Sequence, residues 1–298
     1  MEGLKFATWA WLVLGLVCAL PAKPTRRDQG VETDDEEELI GRLSYIKGAL
    51  YGEPKNSTGS KVDSWDEDSG MNPEELGEYA EGDILFQMQV GGRNGLRAES
   101  SRWPGGVIPY SISPQFSGEY RKRILDAMDD YRRYTCITFR PSTGQESNYI
   151  KIVAGQTGCW SSVGRVGGSQ IVNLQIPGCV TRKGTIIHEL MHAVGFLHEH
   201  SRYERDNYVQ VKWENITPGR DNNFKSATRD STNDFGVEYD YGSVMHYSAK
   251  AFSRNGQPTL VPRGNENVYL GQRDGFSRKD IMKINRMYKC NKQGINYG

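Results

Sequence analysis

Three of the five histidines in the chain fall within eleven residues, between positions 188 and 198. On an α-helix, positions i and i+4 share a face, so His188 and His192 can present their imidazoles to one ion. Glu189 lies one step around the same helix, close enough to reach a water on that ion. Gly195 supplies a backbone that can turn with positive φ, and such a turn would bring His198 back as a third ligand.

This spacing predicts one zinc ion, held by the three histidines. Three protein ligands leave an open coordination position, which is typical of a catalytic rather than a structural zinc site. Glu189 would act as a general base on a water, so no serine or cysteine nucleophile is required. Two alternatives are histidines that only form hydrogen bonds and a structural zinc module. The second would need a fourth side-chain ligand and has no use for Glu189.

The pattern around this motif predicts an α+β fold. A helix is predicted over Thr181–Val194, with Thr181 as N-cap and Gly195 as its end. Val107–Ile112 is typical of a strand, at a sheet edge if Pro109 lies inside it. A long amphipathic helix is predicted from apolar residues at helical spacing: Tyr120, Ile124, Ala127, Met128 and Tyr131.

Shorter elements follow on either side of the histidines. Three further strands are predicted at Cys136–Phe139, Tyr149–Val153 and Ile171–Leu174. The region from 207 to 250 has little periodicity, so we expect an irregular lobe there. Ser277 and Asp280 indicate a capping box at the start of a last helix.

The N-terminal residues indicate export. Lys5 precedes an apolar run from Trp9 to Leu20, which is shorter than the roughly 20 residues that span a bilayer. Residues 1–22 are therefore predicted to be a signal peptide rather than a membrane anchor, with cleavage after Ala19 or Ala22. The expected location is secreted and extracellular.

Cysteines and sequons fit that location. Outside the predicted signal the chain has four cysteines, an even number that suggests two disulfides with three possible pairings: Cys136, Cys159, Cys179 and Cys290. No C-x-x-C pair is present, so a cysteine zinc site is not expected. Asn56 and Asn215 each begin a glycosylation sequon.

The charges of the two parts of the chain are opposite. Residues 1–93 carry 9 Lys and Arg against 18 Asp and Glu, whereas residues 94–298 carry 28 against 19. Opposite charges would draw a pro-segment onto its enzyme. Residues 23–93 are poor material for a core, so this segment is expected to be irregular or to order against a partner, apart from a helix at 38–50. The basic charge is spread out, so no nucleic-acid partner is predicted.

The stretch His188–Asp206 resembles the astacin family of metzincin metalloproteases, whose pattern is H-E-x-x-H-x-x-G-F-x-H-E-x-x-R-x-D-R-D. One position differs, because Glu204 stands where the family usually has Asp. Residues 243–247 match the metzincin Met-turn. The resemblance covers roughly 94–298. It implies a zinc-dependent endopeptidase with a two-lobed catalytic domain, a mixed sheet, long helices and the zinc in the cleft.

The resemblance also implies roles that the residues alone do not. Tyr247 would be a fifth zinc ligand that swings away to stabilise the oxyanion, and Met245 would form an apolar floor beneath the histidines. The implied disulfides are Cys136–Cys290, which would tie the two lobes together, and Cys159–Cys179, which would close a short loop.

The segment 80–83, Ala-Glu-Gly-Asp, is similar to the F-x-G-D motif of astacin pro-segments, with Ala80 in place of Phe. The resemblance makes Asp83 a candidate latency ligand on the zinc; otherwise it is an ordinary surface residue in a turn. A trypsin-like protease would cut after Arg93, so the mature enzyme would start near Asn94. Its new ammonium would pair with Glu199, which is otherwise a surface carboxylate.

Substrates would be proteins or peptides. In the family, an edge strand near Trp160–Val163 pairs with extended peptide. Gly271–Arg273 resembles the segment that supplies a cationic S1′ residue, so Arg273 would favour acidic residues after the cut; otherwise Arg273 is solvated. A competing class is a catalytically dead relative that only holds peptides.

Overall fold

The computed structural model of the chain describes residues 52–85, 101–229, 233–264 and 267–290. The predicted signal peptide, the helix predicted at 38–50 and the predicted start at Asn94 lie outside these ranges. Within them the α-helices are α1 (Asn56–Asp63), α2 (Gly118–Tyr134), α3 (Gly178–Thr181), α4 (Lys183–Val194) and α5 (Arg278–Met287). The strands are β1 (Val107–Ile112), β2 (Thr138–Pro141), β3 (Tyr149–Val153), β4 (Cys159–Ser161), β5 (Ser169–Leu174), β6 (Val209–Val211) and β7 (Leu260–Pro262).

The main sheet has five strands in the order β2-β1-β3-β5-β4. The first four run parallel, and β4 runs antiparallel to β5 at the edge of the sheet. The predicted mixed sheet is therefore confirmed. Burial alternates along β3, where Ile150 and Ile152 are fully buried, because successive side chains point to opposite faces. A second, two-stranded sheet joins β6 to β7.

The prediction that the strand containing Pro109 lies at a sheet edge is wrong. β1 lies between β2 and β3, in the interior of the sheet. A proline has no backbone N–H to donate to a ladder. The register accommodates it, because β1 begins to pair with β3 only at Tyr110, one residue after the proline.

Helices α2 and α4 lie where the spacing of apolar residues and the histidine motif predict them. The prediction that Thr181 is the N-cap of α4 is wrong. Every residue of α4 from Gly184 to Val194 is buried. Thr181 instead ends the short helix α3, and the N-cap of α4 is Arg182. The hydroxyl of Thr181 donates to the carbonyl of Pro177 at 2.9 Å, so it is used in the preceding turn.

Gly195 ends α4 and turns the chain. Its φ of 129° lies where residues with a side chain are strained. A Cβ at this position would lie 2.8 Å from the Cε of Met287. The sharp turn after the helix therefore depends on glycine.

The two largest hydrophobic clusters among the described residues approximate to the two predicted lobes. The larger core joins the sheet to α2 and α4 and includes Ile108, Ile124 and Leu190. The smaller core lies wholly after residue 207 and includes Val209, Phe224 and Leu260. From 207 to 250 the described chain is mostly irregular apart from β6 and short helical turns, as predicted.

The last helix returns to the first lobe. Ser277 accepts from the backbone N–H of Asp280, which completes the predicted capping box. Ile284 packs in the larger core. Cys290 is bonded to Cys136, and a second disulfide joins Cys159 to Cys179, the pairing that the resemblance implies.

Residues 52–85 lie against both lobes. Val62 of α1 belongs to the larger core, and Tyr79 and Leu85 form a small cluster with Trp160. The segment therefore orders against the rest of the chain, one of the two outcomes expected from its composition. Among the described helices, none has the length and apolarity to cross a membrane.

Candidate metal centre

The centre forms where α4 and the turn after it meet the residues around Asp83. His188 and His192 lie one helical turn apart on α4, and Gly195 turns the chain so that His198 returns beside them. One carboxylate oxygen of Asp83 lies 3.0 Å from Nε2 of His188 and 3.2 Å from Nε2 of His198. The other lies 3.3 Å from Nε2 of His192. One ligand atom from each of the four residues falls within 4.8 Å of all the others.

Hydrogen bonds on the far side of each ring settle which nitrogen faces the centre. Nδ1 of His188 lies 2.7 Å from the carbonyl oxygen of Val244, and Nδ1 of His192 lies 2.7 Å from that of Phe196. A carbonyl oxygen only accepts, so both Nδ1 atoms carry the proton and donate. The Nε2 lone pairs are thus free to bind a metal.

The donor set fits zinc. Zinc is commonly bound by histidine nitrogen and carboxylate oxygen in a tetrahedron at about 2.0–2.2 Å, so neighbouring ligand atoms lie about 3.3–3.5 Å apart. The observed separations of 3.0–3.3 Å approach that spacing. Two atoms aimed at the centre, Oδ1 of Asp83 and Nε2 of His192, have no hydrogen-bond partner among the described residues. An ion would satisfy both, because buried polar atoms are costly when unpartnered.

Glu189 is fully buried beside the histidines. Neither of its carboxylate oxygens has a hydrogen-bond partner in the described parts of the chain. Burial raises the pKa of Glu189 well above its ordinary value, and the negative charge of Asp83 raises it further. Its burial and raised pKa make Glu189 a candidate functional residue of the centre.

The Met-turn lies directly behind the centre. Met245 is buried, and its carbonyl accepts from the N–H of Glu199, the residue after the third histidine. The ring of Tyr247 stacks on His200, with centroids 3.7 Å apart. Its hydroxyl donates to the carbonyl of Glu81 at 2.5 Å, so in this state Tyr247 is bonded to the segment that carries Asp83.

The same segment covers the free edge of β4. The N–H of Ser161 donates to the carbonyl of Asp83 at 2.9 Å, and the N–H of Leu85 donates to the carbonyl of Ser161 at 3.0 Å. Ile84 and Ser161 form a parallel bridge. The edge expected to pair with peptide is therefore occupied by the chain's own residues 83–85.

A family model agrees with this arrangement. The model of Astacin, a peptidase family, matches residues 95–289. This chain belongs to the astacin family. The match includes the three histidines, Glu189 and the Met-turn, and it begins after the segment that carries Asp83.

Several curated astacin relatives are similar along most of the chain. Zinc metalloproteinase nas-13 of Caenorhabditis elegans is 46% identical over 222 residues, which cover 74% of this chain and 48% of the relative. Meprin A subunit beta of Homo sapiens is 41% identical, covering 76% of this chain and 33% of the relative. The chain thus spans about half or less of the length of these two relatives.

A solved astacin structure shares the fold. High choriolytic enzyme 1, a hatching enzyme zinc-protease from the medaka fish Oryzias latipes, is 42% identical. It superposes with a TM-score of 0.59 and covers 65% of this chain and 93% of that chain. The astacin-like fold predicted from the sequence is confirmed.

Glu199, predicted to meet the new N-terminus of an astacin, already has partners. Nζ of Lys283 lies 2.5 Å from one of its carboxylate oxygens, and Nη1 of Arg202 lies 3.1 Å from the other. Burial alone would raise the pKa of Glu199, but Lys283 and Arg202 hold it below its ordinary value. Glu199 is therefore a buried, paired carboxylate and not a surface one, whereas Asn94 lies outside the described residues.

Arg273 is not solvated, because its side chain is fully buried. Its Nε donates to Glu74 at 2.5 Å, and its Nη1 donates to the carbonyl of His246. Next to Glu74, the carboxylate of Glu75 accepts from both the N–H and the hydroxyl of Ser248 at 2.6 Å. Two adjacent acids of the predicted pro-segment thus bind beside the Met-turn of this astacin.

Sequence reasoning assigned no role to Glu74, Glu81 or Lys283. Glu74 is one of many acids in an acidic segment, and Glu81 stands at the variable position of its motif. Lys283 lies on α5, 84 residues from its partner Glu199. Charge was the only feature of the sequence that could have indicated these contacts, because a buried acid needs a cation or another polar partner in the fold.

The two sequons differ in accessibility. Asn56 is exposed at the first residue of α1. The side-chain nitrogen of Asn215 donates to the carbonyl of Pro258 at 2.7 Å, and its oxygen accepts from Asn255. Asn215 is half-buried, so it is the less accessible of the two sequons in this structure.

Proposed function

We propose that the chain is the precursor of a secreted zinc-dependent endopeptidase and that the structure corresponds to its latent form. The observation that carries this proposal is the position of Asp83, whose carboxylate closes the ring of three histidine Nε2 atoms. A carboxylate there would fill the coordination position that water needs. Residues 83–85 also cover the edge of β4, where an extended substrate would pair.

Once the pro-segment has left, the residues of the centre would share the work of hydrolysis. Bound zinc supplies Lewis acidity, which lowers the pKa of a water toward about 7 and polarises the scissile carbonyl. Glu189 takes the proton of the attacking water and later gives it to the leaving amine. The hydroxyl of Tyr247, no longer bonded to Glu81, becomes available to donate to the oxyanion.

Arg273 would select substrates with an acidic residue after the scissile bond. The ion pair between Glu74 and Arg273 supports this, because the guanidinium already holds an acid from the chain's own pro-segment. Glu74 satisfies the guanidinium only in part, since Nη2 of Arg273 and Oε2 of Glu74 lack hydrogen-bond partners in the described ranges. A substrate carboxylate with a bidentate approach would bind it better.

A trypsin-like cut after Arg93 would start activation. The severed segment carries the acids that contact the domain, and it is held partly by charge attraction. The new ammonium at Asn94 would approach Glu199 and share it with Lys283 and Arg202. Local rearrangement around Glu199 would then accompany maturation.

Limited trypsin treatment of the full chain tests this function. We expect a product beginning near Asn94 that cleaves a diverse peptide library, with enrichment of Asp and Glu just after the cut. The untreated precursor should leave the library intact. A folded, zinc-loaded product that binds peptides without cleaving them would instead identify a catalytically dead relative.

A further inference from the structure

The outer hydrogen bonds of the three histidines come from different parts of the chain. His188 and His192 donate to the carbonyls of Val244 and Phe196, which belong to the domain that remains after activation. Nδ1 of His198 instead lies 2.9 Å from the carboxylate of Glu81. The outer partner of the third histidine is thus a residue of the pro-segment.

The backbone at Glu81 is held in an unusual conformation. Its φ is 46°, in the left-handed region that favours glycine. Bridges between Tyr79 and Gly82 and between Ala80 and Ile84 close this tight turn. Only 3% of Glu81 is exposed, so the side chain is buried against His198 and does not point into solvent. A strained backbone around a side chain that contacts a metal ligand suggests a role for that side chain.

We propose that Glu81 is a positioning residue for zinc, supplied by the pro-segment. A carboxylate on the far nitrogen of a ligating histidine fixes the ring and makes the other nitrogen a stronger donor. Glu81 does this for His198, while Asp83, two residues later, reaches the centre itself. The inference rests on the proposed function in one respect, namely that the three histidines hold the zinc.

The outer hydrogen bond from Glu81 would change the zinc affinity of the site between the precursor and the processed enzyme. The precursor has an outer hydrogen bond on each of the three histidines, so it is the form that would load zinc most tightly. Activation removes Glu81 together with Asp83, whereas Val244 and Phe196 remain. Loss of Asp83 alone would weaken zinc binding by a certain factor. Because Glu81 is lost as well, the processed enzyme binds zinc even less tightly and exchanges it faster.

Zinc affinity of the full-length precursor tests the role of Glu81. We would measure the zinc dissociation constant by competition with a chromophoric chelator for Glu81→Gly and Glu81→Gln. Glycine removes the carboxylate and relaxes the positive φ, so backbone strain would not explain a loss. Glutamine keeps the shape and a hydrogen-bond acceptor but removes the charge.

Loss of an outer-shell partner typically costs about 10- to 100-fold in metal affinity. We expect a loss of that size for Glu81→Gly, a smaller loss for Glu81→Gln and none for the control Glu78→Gln. Glu78 carries the same charge but pairs with Lys61 within the pro-segment. Zinc binding by both Glu81 variants that matches the wild type within the error of the titration would overturn the inference.

Adding Asp83→Asn separates Glu81 from the fourth ligand. If Glu81 acts through His198, Glu81→Gly weakens zinc binding by a similar factor whether or not Asp83→Asn is also present, and the absorption of a cobalt-substituted precursor shifts in both cases. If the effect vanishes once Asp83 is changed, Glu81 merely positions Asp83 and the inference fails. A precursor that binds no zinc at all would instead contradict the proposed function.

Discussion

Three of the buried glutamates around the centre differ in the groups that they contact. Glu74 is paired with Arg273 and Glu199 with Lys283, whereas Glu189 has no hydrogen-bond partner among the described residues. Lys283 and Arg202 hold the pKa of Glu199 below its ordinary value despite burial, whereas burial and the charge of Asp83 raise the pKa of Glu189. The environment of each residue, rather than its type, separates the candidate base from the anchors.

Glu189→Gln should strongly reduce peptide cleavage and leave zinc bound. The amide keeps the shape of the side chain but cannot take a proton, so kcat/KM of the processed enzyme should fall by about 10²- to 10⁴-fold. Steady-state kinetics and metal analysis of the same sample measure both. Glu214→Gln, on the exposed surface, is the matched control. Kinetics of Glu189→Gln that match those of the control would show that Glu189 is not the base.

Arg273→Gln should remove the preference for acids. Hydrogen bonds to a charged group contribute about 1.5–3 kcal/mol, so the ratio of kcat/KM between peptides with Asp and with Asn after the cut should fall by about 10- to 100-fold. The exposed Arg278→Gln on α5 serves as the control. An unchanged ratio would show that Arg273 does not determine a preference for acidic residues after the cut.

At the scale of elements, the long helices and four of the five strands of the main sheet were predicted from the sequence, whereas the shortest elements were not. The helical spacing of apolar residues in α2 and the histidine motif of α4 carried enough pattern to identify both. Strand β4 has only three residues, too few for a period, and was expected only from the family resemblance. The prediction for Pro109 failed because the register of a sheet depends on strands that lie far away in the sequence. The prediction for Thr181 failed because its hydroxyl bonds to Pro177 in the preceding turn.

The candidate site also contains some residues that the sequence predicted and others that it did not. The histidines and Glu189 lie in one local motif, so their spacing predicted them, and Asp83 lies in a second short motif that the resemblance identified. Lys283 and Glu74 reach their partners across 84 and 199 residues of sequence. Such contacts arise from tertiary packing, which no local pattern records.

Gly195→Ala should destabilise the domain through the turn after α4. The residue would be held at a φ of 129°, and its Cβ would meet Met287. We expect a loss of roughly 1–3 kcal/mol in the free energy of unfolding, measured by denaturant titration. Gly144→Ala, also at positive φ but with open space around its Cβ, reports the backbone cost alone. An equal loss at both positions would exclude the Met287 contact as a cause.

At the scale of the whole molecule, the proposed latency would depend on several separate contacts. Asp83 faces the histidines, residues 83–85 cover β4, and the adjacent acids Glu74 and Glu75 bind Arg273 and Ser248. These contacts lie on one continuous segment. Removal of any single one should therefore weaken inhibition without ending it.

Asp83→Asn should give a partly active precursor, and adding Glu74→Gln should raise its activity further. Asparagine is a weak zinc ligand, but the strand contacts and Glu75 would still cover the site. Hydrolysis of a short fluorogenic peptide measures this, with Arg93→Gln in every variant to prevent processing. If the double variant is as silent as the Arg93→Gln parent, neither acid maintains latency.

Metal content of the processed enzyme is the most direct test of the account, since everything else depends on one ion held by three imidazoles. We expect one zinc per chain by elemental analysis, loss of peptide cleavage on chelation without unfolding, and recovery when zinc is restored. A folded, processed sample with no stoichiometric metal that stays inert after zinc is added would contradict the account.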